Sequence, residues 1–348
     1  MKFDKSELLR RILIVGSGNI ALRHTSILKG LLPESKVFTL SRLATLSLGK
    51  TLLPEETHSA LEFQPQIVVI ANPSSLHRET ALIFTDIGTH LLIEKPISNT
   101  KKDLTKLFKL CDSKNLRLLV GYNLRFLPSL NYFKNLYEQG VAGNVLSVRC
   151  EVGQYLPDWR SGKYYRESVY AKSELVGGVL LELSHEIDYL RWIFGEIEWV
   201  MASATQQSKL EIDVEDQALI ILGFKSSTNS SQLIGSLGMD FIRHDKTRTC
   251  TVIGEETSIR WDGVKGTVEV FDRAKQIWQV VFEQSGEIEE SYKAEWLELI
   301  NSIEENRDPC VTGWDGLIVL EIIEAIRASA SSKQQMIVNY EESNSRNR

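Results

Sequence analysis

The chain has 348 residues, of which 43% are hydrophobic and 25% are charged, so it can form two globular domains with cores of ordinary size. Its net charge of -6 argues against nucleic acid as a partner, because binding to phosphate backbones requires a basic surface. The four cysteines stand far apart without a CxxC pair, which argues against a zinc site and against a disulfide framework.

The sequence gives no sign of a membrane partner. No apolar run reaches the roughly 18 residues of a membrane span. The first ten residues mix Lys2, Asp4, Lys5 and Glu7 and lack the apolar centre of a signal peptide. We therefore expect a protein of the cytoplasm. Because the cysteines suggest no zinc site, we also expect it to bind no metal.

Apolar, β-type runs alternate with helical segments over the first 122 residues. The runs cover residues 12–15, 37–40, 67–70, 91–93 and 118–120. Continuous apolar strands separated by helices are typical of a parallel sheet that is covered on both faces. The sequence therefore predicts a doubly wound α/β domain over residues 1–122.

The pattern changes after residue 122. A helix is predicted near residues 128–139, a strand over 145–152 and a second helix over about 183–194. Further strand-like runs include residues 217–222, 231–237 and 267–271, and two amphipathic helices are predicted over about 288–305 and 314–330. We expect residues 123–348 to form an α+β domain with a large, open, mainly antiparallel sheet. The helix over 314–330 could pack back towards the first domain.

Residues 16–21 follow the first strand and have the pattern G-x-G-x-x-A. In such a loop Gly18 lets a ligand approach the backbone, and Ala21 replaces the third glycine where helix and strand pack tightly. The N–H groups at the start of the next helix would bind a pyrophosphate. The predicted contacts are Gly16, Gly18, Asn19 and Ile20. A simple tight turn is the alternative, and the strand before and the helix after disfavour it.

The second strand ends at Ser41 and Arg42, which bear on the choice of cofactor. NAD enzymes usually place Asp or Glu here for the ribose hydroxyls, whereas arginine suits the 2′-phosphate of NADP. The sequence favours NADP over NAD and adds both residues to the cofactor site. A solvated surface charge at Arg42 is an equal alternative.

Two later strands also end in polar residues. Asn72 and Pro73 follow the third strand, at the edge where ligands of such sheets bind, and are predicted to line the nicotinamide riboside. His77 is either a further cofactor contact or a helix-start residue without one. Glu94 and Lys95 follow the fourth strand. A partly desolvated lysine beside a cationic nicotinamide could exchange a proton with a substrate hydroxyl, and Glu94 would adjoin the cofactor.

His185 begins an apolar helix, and Asp188 falls on the same face three residues later. Glu182 precedes the histidine by three residues and could orient it or contact the substrate. A single histidine in such a segment is more often structural than catalytic. The presence of the phosphate-binding pattern and Lys95 in the same chain favours catalysis here.

Residues 153–168 combine aromatic rings with arginines. Rings stack on sugars or bases, and guanidinium groups bind phosphate or carboxylate, so an anionic sugar fits this segment best. A structural loop is the alternative, and Arg125 could equally be an ion-pair partner at the domain junction. The predicted substrate contacts are Tyr122, Arg125, Trp159, Arg160, Tyr165 and Asp188.

Three strings in one order resemble the Gfo/Idh/MocA family, the relatives of glucose-fructose oxidoreductase and inositol dehydrogenase. They are the glycine pattern, Glu94-Lys95-Pro96, and Gly-Gly at 177–178 followed by an H-x-x-D string from His185. Residues 121–126 resemble the family's domain junction and residues 315–317 its final helix, so the resemblance covers nearly the whole chain.

The resemblance implies a Rossmann domain and a C-terminal α/β domain whose open sheet forms the interface of a homodimer or homotetramer. It implies that Lys95 and His185 act together in hydride transfer between nicotinamide and a sugar carbinol carbon. The family usually has an aspartate four residues before the histidine, where this chain has Leu181. A one-residue deletion would explain why Glu182 stands one residue closer.

Residues 153–168 resemble family members of surface-polysaccharide and nonulosonic acid biosynthesis, so the expected substrate is a nucleotide sugar or a sugar acid. Two functions fit the chain. The first is an NAD(P)-dependent dehydrogenase or reductase acting on CH–OH groups. The alternative is a non-catalytic, dinucleotide-binding regulatory or assembly protein of the same fold. The presence of both Lys95 and His185 favours the enzyme, because a binding protein has little use for two titrating groups.

Overall fold

The computed structural model describes residues 11–40, 54–159, 165–167, 177–225 and 232–340, which form two compact units. The first unit takes its residues from 1–122 and 292–318, and the second from 123–291 and 319–340. The sequence alone groups everything after residue 122 together. An amphipathic pattern shows that a helix buries one face but does not identify what covers that face, so the placement of 292–318 required the structure.

A parallel sheet of five strands in the order β2-β1-β3-β4-β5 forms the centre of the first unit. The strands are β1 (Arg11–Val15), β2 (Lys36–Leu40), β3 (Ile67–Ile70), β4 (His90–Ile93) and β5 (Leu118–Val120). The helices are α1 (Asn19–Leu31), α2 (Pro54–Phe63), α3 (His77–Asp86) and α4 (Leu104–Ser113). The strand order reverses between β1 and β3, and ligands of open α/β sheets bind at the carboxyl ends of strands at such a point.

The core of the first unit includes residues from far along the chain. Ile12 and Ile14 of β1 and Ala21 of α1 are buried in one cluster with Trp296 and Leu299. The last two lie on α8 (Glu287–Glu304). β1 is therefore covered both by the helix that follows it and by a helix that comes much later in the sequence.

Nine strands form the sheet of the second unit, in the order β13-β12-β11-β10-β6-β9-β8-β7-β14. Their bounds are β6 (Val145–Gly153), β7 (Ile197–Thr205), β8 (Gln217–Phe224), β9 (Ile234–Asp240), β10 (Thr247–Gly254), β11 (Ser258–Asp262), β12 (Thr267–Asp272), β13 (Ile277–Glu283) and β14 (Met336–Ile337). All neighbouring strands are antiparallel except β6 and β9. The predictions of a doubly wound parallel sheet and of a mainly antiparallel sheet are confirmed.

The remaining helices are α5 (Pro128–Glu138), α6 (Val179–Glu182), α7 (His185–Phe194) and α9 (Gly313–Ser332). Among the helices of the described ranges, none is long and apolar enough to cross a membrane. The same ranges contain no group of three or more metal-ligating side chains.

Candidate active site

The glycine-rich loop joins β1 to α1. Gly16 has φ +140°, and a Cβ at this position would lie 2.4 Å from the carbonyl oxygen of Ala71, so only glycine fits. Gly18 is exposed, and an added Cβ would meet no atom of the described residues within 4 Å. The two glycines therefore have different roles: Gly16 lets the loop pass the end of β3, and Gly18 leaves open space over the helix start.

The N-terminus of α1 has the properties of an anion site. Within this helix, which the structure describes in full, no side chain caps the first turn and no acidic residue lies there. Ser17, Gly18 and Asn19 are exposed. The first N–H groups and the positive end of the helix dipole are thus accessible, and a pyrophosphate fits them.

Asn72 directly follows β3 and is buried. Its Nδ2 donates a hydrogen bond of 2.9 Å to Thr80 Oγ1. Its Oδ1 is buried and has no hydrogen-bond partner within the described parts of the chain. A donor on a ligand would satisfy this oxygen. Pro73 comes next and precedes a 3-10 turn over Ser74–Leu76.

His77 begins α3 and is 1% exposed. Its Nδ1 lies 2.9 Å from the carbonyl oxygen of Pro96, and its Nε2 lies 2.7 Å from that of Asn72. Burial lowers the pKa of this imidazole, although the carbonyl contacts act in the opposite direction. His77 thus stands at a helix start with its ring nitrogens facing the backbone of two neighbouring loops, and its contact with the cofactor stays a prediction.

Glu94 and Lys95 follow β4, which pairs with β3 so that Ile93 lies beside Ile70. Lys95 therefore comes at the same sheet edge as Asn72. Lys95 is half-buried, whereas Glu94 is 7% exposed. A lysine amine at such an edge can exchange a proton with a ligand hydroxyl.

The second unit contains His185 and the acidic residues near it. Glu182 ends α6 and His185 begins α7, and both side chains are half-buried. Leu181, at the position where the family usually has an aspartate, is 1% exposed. Of the two adjacent positions, Glu182 is the one with a carboxylate and with access to solvent.

Arg125 and Asp188 bind each other. Arg125 Nε donates to Asp188 Oδ2 over 2.8 Å, and Nη2 donates to Oδ1 over 2.6 Å, with both residues buried. This is the ion-pair alternative that the sequence left open for Arg125. Tyr122, in the first unit, is completely buried, which is typical of a packing residue.

Two aromatic residues of the predicted substrate segment lie within the described ranges. Trp159 Nε1 donates to the carbonyl oxygen of Gln154 over 3.0 Å, and its ring packs edge-on against Phe241. Tyr165 accepts a hydrogen bond from the backbone of Glu211. Arg160, like Ser41 and Arg42, lies outside the described residues.

Sequence reasoning missed three buried polar residues. His24 and Trp296 hydrogen-bond each other in the first unit, and Glu186 binds Arg248 in the second. His24 had a detectable signal, since it falls on the apolar side of α1 with Ala21 and Leu28. Glu186 and Trp296 had none, because their partners are distant in sequence.

Two family models match the chain. One, described as an oxidoreductase family with an NAD-binding Rossmann fold, matches residues 10–122. The other, described as the C-terminal alpha/beta domain of the same Gfo/Idh/MocA family, matches residues 134–338. The match to the Rossmann model covers the segment in which the sequence predicts a dinucleotide-binding domain.

Curated relatives include myo-inositol 2-dehydrogenase of Thermotoga maritima, 25% identical over 94% of this chain and 98% of the relative. Levoglucosan dehydrogenase of Pseudarthrobacter phenanthrenivorans is 32% identical, but over 39% of this chain and 35% of its own length. The chain thus aligns with about a third of that dehydrogenase and with almost all of the inositol enzyme.

Solved structures share the fold. Levoglucosan dehydrogenase in complex with NADH and levoglucosan has a TM-score of 0.77 at 20% identity. The WlbA dehydrogenase of Bordetella pertussis in complex with NADH and UDP-GlcNAcA has a TM-score of 0.74 at 22% identity. Each comparison covers 95% of this chain and 99% of the other.

Proposed function

The chain belongs to the Gfo/Idh/MocA oxidoreductase family, and on that premise we propose that it transfers a hydride between a nicotinamide cofactor and a carbinol carbon of a sugar. The proposed substrate class is a nucleotide sugar or a sugar acid. One observation carries this proposal: Lys95 comes at the same sheet edge as the open glycine loop. A pure binding protein needs no half-buried amine there.

The residues at this edge suit a dinucleotide. Gly16, Gly18, Asn19 and Ile20 hold the pyrophosphate at the N-terminus of α1, where the backbone is accessible. Asn72 and Pro73 line the nicotinamide riboside, and the Oδ1 of Asn72 takes a donor from it. The bound cofactor supplies the hydride acceptor or donor.

The chain's own residues handle the proton. Lys95 polarises the oxygen of the substrate hydroxyl, and His185 takes or returns its proton. Glu182 orients His185. The sugar contacts are assigned to Trp159, Arg160 and Tyr165. Arg125 and Asp188 are left out of this set because they bind each other.

The test is a spectrophotometric assay at the nicotinamide absorbance band. The panel contains levoglucosan, myo-inositol, sugar acids and UDP-sugar acids, with NAD and NADP. We expect turnover of at least one sugar, and a loss of about 10²–10⁴-fold in kcat for Lys95→Ala. Lys102→Ala, which removes an exposed lysine of the same unit, is the control. Tight binding of NADPH without turnover of any sugar would favour the non-catalytic alternative.

We further propose that the cofactor is NADP, because the sequence has Arg42 shortly after the second strand. Arg42→Asp should then weaken the binding of NADPH much more than that of NADH. Cofactor fluorescence titrations measure both dissociation constants. Equal losses for the two cofactors would contradict this role for Arg42.

The sheet of the second unit supports a proposal on assembly. Along β8, Ala218 and Ile220 are buried, while the alternate residues Leu219 and Ile221 are 57% and 44% exposed. Met201 on the adjacent β7 is 48% exposed. An apolar sheet face of this kind usually marks an interface, and we propose a homodimer or homotetramer through it. Light scattering of Leu219→Glu should show dissociation, and an unchanged mass would reject this interface.

We also propose that the protein works in the cytoplasm. Cys111, Cys150 and Cys250 are buried free thiols, which fits a reducing compartment. Fractionation of cells that express the tagged chain tests this location. Recovery in a secreted or membrane fraction would overturn it.

A further inference from the structure

Both oxygens of the Glu94 carboxylate have hydrogen-bond partners inside the first unit. His24 Nε2 lies 2.8 Å from Oε1, and the backbone N–H of Lys95 donates to Oε2 over 3.3 Å. These contacts satisfy the oxygens of a carboxylate that is buried. Glu94 therefore links α1 to the main chain of Lys95.

Trp296 fixes the protonation of His24. The indole N–H of Trp296 donates to His24 Nδ1 over 3.0 Å, and an indole nitrogen can only donate. Nδ1 must therefore accept, so the proton of the neutral imidazole sits on Nε2 and points to Glu94. A second proton on Nδ1 would oppose the indole N–H in a site where His24 is completely buried.

Glu295 is a second carboxyl group near Glu94. Its two oxygens are buried, and neither has a hydrogen-bond partner among the residues that the structure describes. Burial raises the pKa of Glu295 well above its usual range, and the charge of Glu94 raises it further. Glu295 therefore keeps its proton at neutral pH.

Gly121 closes the remaining side of the carboxylate. A Cβ at this position would lie 3.0 Å from Glu94 Oε2 and 3.2 Å from Glu94 Cα. The strand end therefore passes directly against Glu94 and leaves it little room to change rotamer.

We propose that Glu94 is a positioning residue for Lys95, held in place by His24 and Trp296. The Glu94 carboxylate fixes the backbone of Lys95 at the end of β4 by accepting its N–H. This inference rests on the proposed function, since it assigns a task to residues behind Lys95. It requires no contact between Glu94 and the substrate.

The first test measures the amine directly and needs no sugar. Lysines are methylated with a ¹³C label, and the Lys95 signal is assigned with Lys95→Arg. Glu94→Gln should shift the Lys95 signal, because the amide has only one oxygen where the carboxylate has one each for His24 and for the Lys95 backbone. The control is Glu298→Gln, which removes a carboxylate of the same helix as Trp296 that binds Arg307. An unchanged Lys95 signal in Glu94→Gln would overturn the proposal.

The second test uses Trp296→Phe, which keeps a packed ring and removes the N–H. The other charged and titratable groups around this site are Glu94, Lys95, Glu295, Tyr292 and Arg23, whose guanidinium lies over the Tyr292 ring. Nitrogen NMR should show His24 as the Nε2–H tautomer in the wild type, because the Trp296 N–H donates to Nδ1. In Trp296→Phe that donor is gone, and the His24 ring should exchange between its two tautomers.

The same variant has a kinetic readout. Trp296→Phe should lower kcat by about threefold or more, with the KM for the cofactor within about twofold. The matched control is Trp314→Phe, whose ring packs on Phe108 in the same unit. His24 spectra and kcat values that coincide in the two tryptophan variants would overturn the proposal.

The two proposals fail in different ways. If the wild type turns over no sugar, the proposed function fails, whereas the NMR signal of Lys95 and the tautomer of His24 still decide the positioning role. If Glu94→Gln does not fold, Trp296→Phe retains the Glu94 carboxylate and provides the decisive measurement.

Discussion

The first unit contains buried ionisable side chains that are neutral, whereas the second contains buried ion pairs. In the first unit, burial raises the pKa of Glu295, and burial together with Arg117 lowers the pKa of His90 to about 4. Both groups are therefore neutral at neutral pH. In the second unit, Arg125 binds Asp188 and Arg248 binds Glu186, so the buried groups keep their charges as ion pairs.

The difference has a consequence for stability. A neutral buried group takes up or releases a proton on unfolding, so its contribution depends on pH. A buried ion pair depends instead on the presence of its partner. We therefore expect the pH dependence of stability to arise mainly in the first unit, and the largest penalties for single substitutions in the second.

The largest effect is expected for Arg125→Leu. This change leaves Asp188 buried without its bidentate partner, and we expect a loss of about 3–5 kcal/mol in the free energy of unfolding. Urea unfolding at neutral pH measures it. Arg260→Leu, which removes a partly exposed partner of Glu269, should cost less than about 1 kcal/mol. A loss for Arg125→Leu no larger than that of the control would remove the contrast between the units.

Glu295→Gln should stabilise the protein in alkaline solution. The raised pKa means that the folded state keeps a proton that the unfolded state releases above pH 4.5, so Glu295 reduces stability increasingly as pH rises from there. The variant should match the wild type near pH 4.5 and exceed its Tm at higher pH, by about 2–4 °C for each kcal/mol.

Glu298→Gln provides the comparison for that measurement. The hydrogen bond from Arg307 lowers the pKa of Glu298, so this carboxylate stabilises the fold at pH values above its unfolded pKa. Glu298→Gln should lose that stabilisation. Thermal scans across the pH range compare the two variants. A Tm difference between Glu295→Gln and the wild type that does not grow with pH would mean that Glu295 is ionised in the folded state.

The smallest effect is expected for His90→Asn. His90 Nδ1 accepts the backbone N–H of Arg117, and the Asn oxygen can replace that acceptor without titrating. Because the folded pKa is about 4 and the unfolded value is 6.5, the wild type loses stability as pH falls below 6.5. Between neutral pH and pH 5 this loss is about 2 kcal/mol, and the variant should lack it. Equal acid sensitivity of the two proteins in urea unfolding would refute this role.

Local patterns sufficed for the fold and for one side of the candidate site. The run Ile67–Ile70 is short, apolar and bounded by polar residues, so a buried strand follows from the sequence, and the position of Lys95 follows from the next such strand. The glycine pattern likewise indicates its loop. These features depend on neighbours in the sequence.

Partners distant in sequence could not be found in this way. Arg125 and Asp188 are 63 residues apart, and charged residues near a candidate site resemble ligand contacts until their pairing is visible. His24 and Trp296 are 272 residues apart, so the residue that orients His24 has no local signal. The sequence predicted which segments are buried, and the structure shows which residues pack against them.

The late arrival of α8 has a consequence for biosynthesis. Trp296 and Leu299 share the apolar core of β1 and α1, so a ribosome must synthesise nearly three hundred residues before that core can close. Until then the nascent nucleotide domain exposes apolar surface that chaperones recognise. A fragment that ends at residue 122 should for the same reason aggregate when it is expressed alone.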